Sequence, residues 1–145
     1  MIFGIEIQFI ISQVVAILFA IAVAKHDAPA IIHFYDYLAS PLFIARFHRY
    51  NFWLKFLFCV VVSLLASPYW PDGLFYGLAS GLWIWLVFDP ALNISSGKQK
   101  WDYLGLNDAD GRFWNGLFGR NSGKIKAVLL SVAIIAVNLI YKLLL

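Results

Sequence analysis

Apolar residues gather into four runs, residues 7–24, 52–69, 74–94 and 125–145, in which charged residues are rare. A helix needs about 20 apolar residues to cross a hydrocarbon layer of about 30 Å, and each run approaches that length. The pattern predicts an all-α, polytopic membrane helix bundle: about four transmembrane helices plus an amphipathic interfacial segment, folded as one transmembrane domain over residues 1–145. Residues 30–50 are too apolar for a free linker, yet His33, Asp36, Pro41, Arg46 and Arg49 interrupt them. As a helix, His33, Asp36 and Ser40 share one face, and Ile31, Phe34, Tyr35 and Leu38 share another. That arrangement predicts an interfacial segment broken at Pro41, with a half-buried re-entrant segment as the alternative. Residues 97–120 form a second interfacial stretch, in which Trp101 and Trp114 are expected at headgroup depth, as Trp53 and Trp70 are at the ends of the second run.

Composition sharpens this reading. Of 145 residues, 62% are hydrophobic, 18% aromatic and 13% charged, which excludes a soluble globular domain. Four spans leave little chain for an extramembrane domain, so function is expected within the bundle or its two longer connections. The single cysteine, Cys59, lies mid-run as a small packing group and permits no intramolecular disulfide. The first residues lack the basic region and small-residue cleavage site of a signal peptide, so the first run is expected to be kept as an anchor.

The cations partition along the chain. Lys25, Arg46, Arg49 and Lys55 lie in or beside the first connection, and Lys98, Lys100, Arg112, Arg120, Lys124 and Lys126 in or beside the third. Both basic connections are expected to face the cytoplasm, with both termini outside, in a bacterial inner membrane or a virion membrane. The net charge of +3 then reads as an attraction to anionic lipid heads, not to nucleic acid.

Gly73, Gly77 and Gly81 recur at four-residue intervals and form a smooth stripe for close helix approach. Its expected occupant is a helix of the same chain, with a neighbouring subunit as the alternative. Asp89 follows a long apolar run and precedes Pro90, and a carboxylate at that depth is costly. It is expected to cap a short helix beginning at Pro90, with Asn93 one turn on, or to pair with Arg46, Arg49 or Lys55. A proton or ion site is the sharper alternative.

The remaining chemistry is sparse. His26, His33 and Asp36, with Arg46 and Arg49, form a polar cluster expected on the cytoplasmic side, but its spacing fits no metal motif. The Asn107–Gly111 stretch lacks the first and twelfth carboxylates of a calcium loop. The Gly119–Ile125 stretch has one residue too few for a phosphate loop and does not follow a strand. No nucleophilic triad stands out, and no metal or cofactor is implied.

Phe88-Asp89-Pro90-Ala91-Leu92-Asn93, then Gly97, Trp101-Asp102-Tyr103-Leu104-Gly105 and Asp110 resemble a pattern in uncharacterised small membrane proteins. These are encoded by phages and mobile elements of Bacteroides and Flavobacterium relatives. The resemblance covers about a third of the chain, and Ser96 stands where the pattern has a basic residue. It implies a phage or mobile-element setting and no activity. It also implies that Asp89, Asn93, Tyr103, Gly105 and Asp110 are cap and turn residues folding the third connection against the bundle. The leading expectation is therefore a non-enzymatic structural or assembly component of such a membrane system, homo-oligomeric or joined to other membrane proteins. A small holin-like pore and an intramembrane enzyme acting on lipid head groups are the alternatives.

Overall fold

The computed structural model describes residues 2–37, 41–66, 69–97, 100–102, 104 and 109–144, and the side chains of 7–29, 46, 49–65, 69, 71–97, 100–102, 104 and 110–144. Every regular element among them is helical: α1 (Ile2–Tyr37), α2 (Pro41–Ala66), α3 (Trp70–Ser96), α4 (Ala109–Phe118) and α5 (Ser122–Leu144), with a single 3-10 turn (Gly119–Asn121) before α5. Three stretches are long and apolar enough to cross a membrane among the described residues: Ile7–Pro29, Pro71–Ser96 and Asp110–Leu144. The predicted second span falls in α2, whose Phe52, Trp53, Phe56, Leu57, Val61, Leu64 and Leu65 are exposed on the outside of the bundle. In a bilayer that outward apolar surface meets acyl chains.

The helix ends differ from the sequence expectation. Residues 30–50 are not an element of their own, because α1 runs through Pro29 to Tyr37 and α2 begins at Pro41. Proline fits the first turn of α2, where its missing N–H has no intrahelical partner to lose. At about 1.5 Å per residue the 36 residues of α1 exceed a hydrocarbon layer of about 30 Å, so the helix extends past the apolar core.

Helix α3 is the hub of the bundle. On one side Tyr76, Ser80, Ile84 and Phe88, four residues apart and all buried, face α1. Ala16, Ala20 and Ala24 of α1 are fully buried at the same spacing, so the backbones approach closely. On another side Gly73, Gly77 and Gly81 face α2. A Cβ on Gly73 would stand 2.8 Å from the Ser63 carbonyl oxygen, and one on Gly81 would stand 3.6 Å from Cys59 Sγ. The stripe is thus occupied by a helix of the same chain and is not open to a second subunit.

Polar residues within the spans close on one another. Gln13 Nε2 donates to Asn138 Oδ1 at 2.9 Å, and Trp83 Nε1 donates to Gln13 Oε1 at 2.8 Å, which ties α1, α5 and α3 together. Ser12, Ser63 and Ser131 donate to carbonyls three or four residues back in their own helices. At one end of the bundle Phe9, Tyr76 and Tyr141 pack ring on ring, with Phe9 and Tyr141 centroids 4.1 Å apart. These contacts set α1 antiparallel to α5 and put the start of α3 beside the start of α1.

The glycine seam yields a test. Gly73→Ala forces a Cβ against backbone and is expected to cost about 1–3 kcal/mol. Gly77→Ala meets the Ser63 hydroxyl instead and gains helix propensity, so its net cost is smaller. Ser63→Ala should suppress the Gly77→Ala cost and leave the Gly73→Ala cost intact, as read by thermal unfolding of the three single and two double variants in one detergent. Equal suppression of both would show that the seam is not packed this way.

Candidate functional site

The opposite end of the bundle holds charge. Lys126 lies in the first turns of α5 with its side chain 4% exposed. Its Nζ donates to Asp89 Oδ2 of α3 at 2.6 Å and to Asp110 Oδ2 of α4. Asp110 Oδ1 accepts from two indoles, Trp114 Nε1 at 2.8 Å and Trp85 Nε1 at 3.2 Å. One ammonium thus joins three helices, and the two tryptophans shield the carboxylate that it shares. Isolated, a buried ammonium would be expensive; between two carboxylates its charge is matched and its donors are used.

The chain that leads from α3 to α4 is fixed to the same place. Gly97 ends α3 in the left-handed region, φ 64°, and its N–H reaches the Asn93 and Ile94 carbonyls. Asn93 Nδ2 then donates to the Trp101 carbonyl at 3.2 Å and holds the returning strand of chain against the helix. Gly123 completes the seam from the α5 side, since a Cβ there would stand 2.7 Å from the Asp102 carbonyl carbon. Asn115 Nδ2 reaches the Leu104 carbonyl at 3.5 Å, and Ser122 Oγ donates to Asn115 Oδ1. Beside Lys126 a cleft of about 20 Å³, bounded by Trp85, Asp89, Trp101, Asp102 and Gly123, has room for about one water.

A second charged side chain lies near the triad. Lys55 of α2 sets its Nζ 2.9 Å from the centroid of the Phe88 ring and is within electrostatic reach of Asp89 and Asp27. Asp27 of α1 is buried, with Oδ1 3.1 Å from His26 Nδ1 and Oδ2 without a partner among the described residues. Asp27, Lys55, Asp89, Lys126 and Asp110 therefore alternate in sign across five helices at one end of the bundle.

Several expectations need correction against this geometry. Asp89 does not cap a helix at Pro90, because α3 continues unbroken through both residues to Ser96. Its ion-pair partner is Lys126, not Arg46, Arg49 or Lys55. Of the expected polar cluster, Arg46, Arg49 and His26 are exposed, and the side chains of His33 and Asp36 lie outside the described residues. Trp114 is buried against the bundle, its indole spent on Asp110. Asn93 and Asp110 both fold the third connection back onto the bundle, while Tyr103 and Gly105 lie outside the described residues. Among the described residues no three His, Cys, Asp or Glu side chains gather as metal ligands.

Lys126, Trp85 and Trp83 are the site residues that sequence reasoning missed. Lys126 reads as one more cation of a basic connection, and only the fold reveals that its charge turns inward. One local signal was available: Asp110 and Trp114 are four residues apart, so they share a helix face. Comparison of the chain with protein-family models, curated proteins and solved structures finds no match.

The triad predicts a strongly non-additive mutant series. Lys126→Met leaves two half-buried carboxylates, 28% and 32% exposed, facing each other and is expected to cost about 1–3 kcal/mol. Adding Asp89→Asn and Asp110→Asn removes the stranded charges and should recover most of that loss. Thermal unfolding of the single and triple variants in lipid nanodiscs reads the difference, and a triple variant no more stable than Lys126→Met would mean that the charges are not coupled.

Proposed function

We propose that the protein is a non-enzymatic structural component embedded in a membrane, and that its setting is the phage or mobile-element membrane system implied by the resemblance around Asp89, Asn93 and Asp110. The observation that supports the non-enzymatic reading is that the amide network of the spans and the ion triad are each spent on their own members. Gln13, Asn138 and Trp83 satisfy each other within the spans, and Lys126 is consumed by Asp89 and Asp110. The cleft beside Lys126 has room for about one water, not for a lipid head group.

The orientation proposed is the one that the cations favour. Arg46, Arg49, Arg112 and Arg120 are exposed, and their helices meet at the end that holds the triad. With that end cytoplasmic, both termini lie outside, in a bacterial inner membrane or a virion membrane. The partners proposed are anionic lipids and, through the lipid-facing surfaces of α2 and α5, further copies or other membrane proteins.

The test is the native mass of the full chain in lipid nanodiscs, with bound lipids and metals retained, together with ion flux through reconstituted vesicles. A metal-free assembly in vesicles that stay tight is the expected result. Discrete conductance would replace this reading with a pore. Stoichiometric bound metal, or turnover of labelled head groups, would replace it with an enzyme.

A further inference from the structure

Around α4 the acids turn inward and the bases outward. Asp110 is held by Lys126 and two indoles, and Asp102 stands 4.0 Å from Lys124. Arg112 and Arg120 are exposed, and among the described residues neither meets a carboxylate. Between them lie Phe113 and Leu117, one turn apart on the same side of α4 and 58% and 59% exposed, with Phe118 beside them. Phe113 and Leu117 thus form an exposed apolar strip on α4, with Arg112 on its flank and Arg120 in the turn that follows, and among the described residues neither arginine is neutralised by an acid.

We propose that this side of α4 docks anionic phospholipid, with Phe113 and Leu117 entering the acyl boundary and Arg112 and Arg120 holding headgroup phosphates. Two features select lipid as the occupant. The first is charge: the exposed arginines beside the apolar strip, unpaired among the described residues, complement an anionic leaflet, and guanidinium groups match phosphate geometry. The second is depth. Asp110 is tied to Lys126 at the start of α5 and, through it, to Asp89 near the end of α3, which holds α4 at the boundary where two apolar spans end. The polar rim and apolar strip are then level with headgroups and upper acyl chains. The inference rests on the membrane-embedded reading and is independent of the phage setting.

The test is electron spin resonance of the full chain reconstituted in phosphatidylcholine vesicles doped with spin-labelled phosphatidylglycerol or spin-labelled phosphatidylcholine. The wild type is expected to immobilise the phosphatidylglycerol label in preference, and added salt should weaken that preference. Arg112→Gln with Arg120→Gln should reduce it by up to about fivefold for each arginine removed, while leaving helicity and elution unchanged. Arg46→Gln with Arg49→Gln, also exposed but on α2, should retain most of it. Equal immobilisation of the two labels by the wild type would overturn the proposal, as would a preference lost only in the α2 variant. A strip that cross-links to a second copy or another protein in these vesicles, with no preferred lipid, would assign α4 to a protein contact instead. Failure to immobilise either label would overturn the embedded reading itself.

Discussion

The ammonium of Lys126 is the point on which the cytoplasm-proposed end of the bundle depends. A cation near the boundary of two spans needs carboxylates, and those available come from different helices: Asp89 from α3 and Asp110 from α4. Satisfying one charge therefore fixes the relation of three elements at once. Helix α4 has ten residues, too short to be stable alone in water, and it is held by this pair and by Trp114. With Gly111 and Trp114 buried, the helix leaves Arg112, Phe113 and Leu117 exposed.

The remainder of the bundle is held without charge. In a bilayer apolar association gains little, since lipid tails are as apolar as leucine, so close packing and hydrogen bonds must hold the helices together. Helix α3 meets both needs by dividing its surface. Its glycine edge admits α2, its Tyr76, Ser80, Ile84 and Phe88 edge meets the buried alanines of α1, and Trp83 reaches Gln13 where α5 also reaches it. The amide pair of Gln13 and Asn138 and the ion triad lie toward opposite ends of α5. Each fixes a rotation of that helix that the other must accommodate.

Much of this was legible in the sequence, and the parts that were not share a cause. The apolar runs announced the helices because scarcity of charge is a property of a segment by itself. The glycine stripe announced a close contact for the same reason. The alanines of α1 at positions 16, 20, 24 and 28 have the same small-residue spacing, but alanine counts as apolar and vanishes into the hydropathy of the run. Pro90 read as a break, yet α3 continues through it, as α1 does through Pro29, since packed neighbours and backbone adjustment can compensate a missing N–H in a span. Lys126 was the hardest residue to place. Its partner Asp89 lies 37 residues away in the chain, and its charge reads equally well as a loop cation. Pairing across that distance is a property of the fold, not of any window of sequence.

The two uses of positive charge can now be separated. Arg112 and Arg120 are exposed and have the delocalised head suited to phosphate, whereas Lys126 is buried and has the compact head suited to sitting between two carboxylates. Lys55 takes a third role, with its ammonium over the Phe88 ring and between acids on α1 and α3. Counting all these residues alike toward a positive-inside signal describes orientation but hides structure. The buried Lys126 and half-buried Lys55 lie between acids of this end, and Arg112 and Arg120 stay exposed. The division follows from burial: Lys126 is enclosed between Asp89 and Asp110, whereas Lys124, 4.0 Å from Asp102, stays at the surface with the arginines.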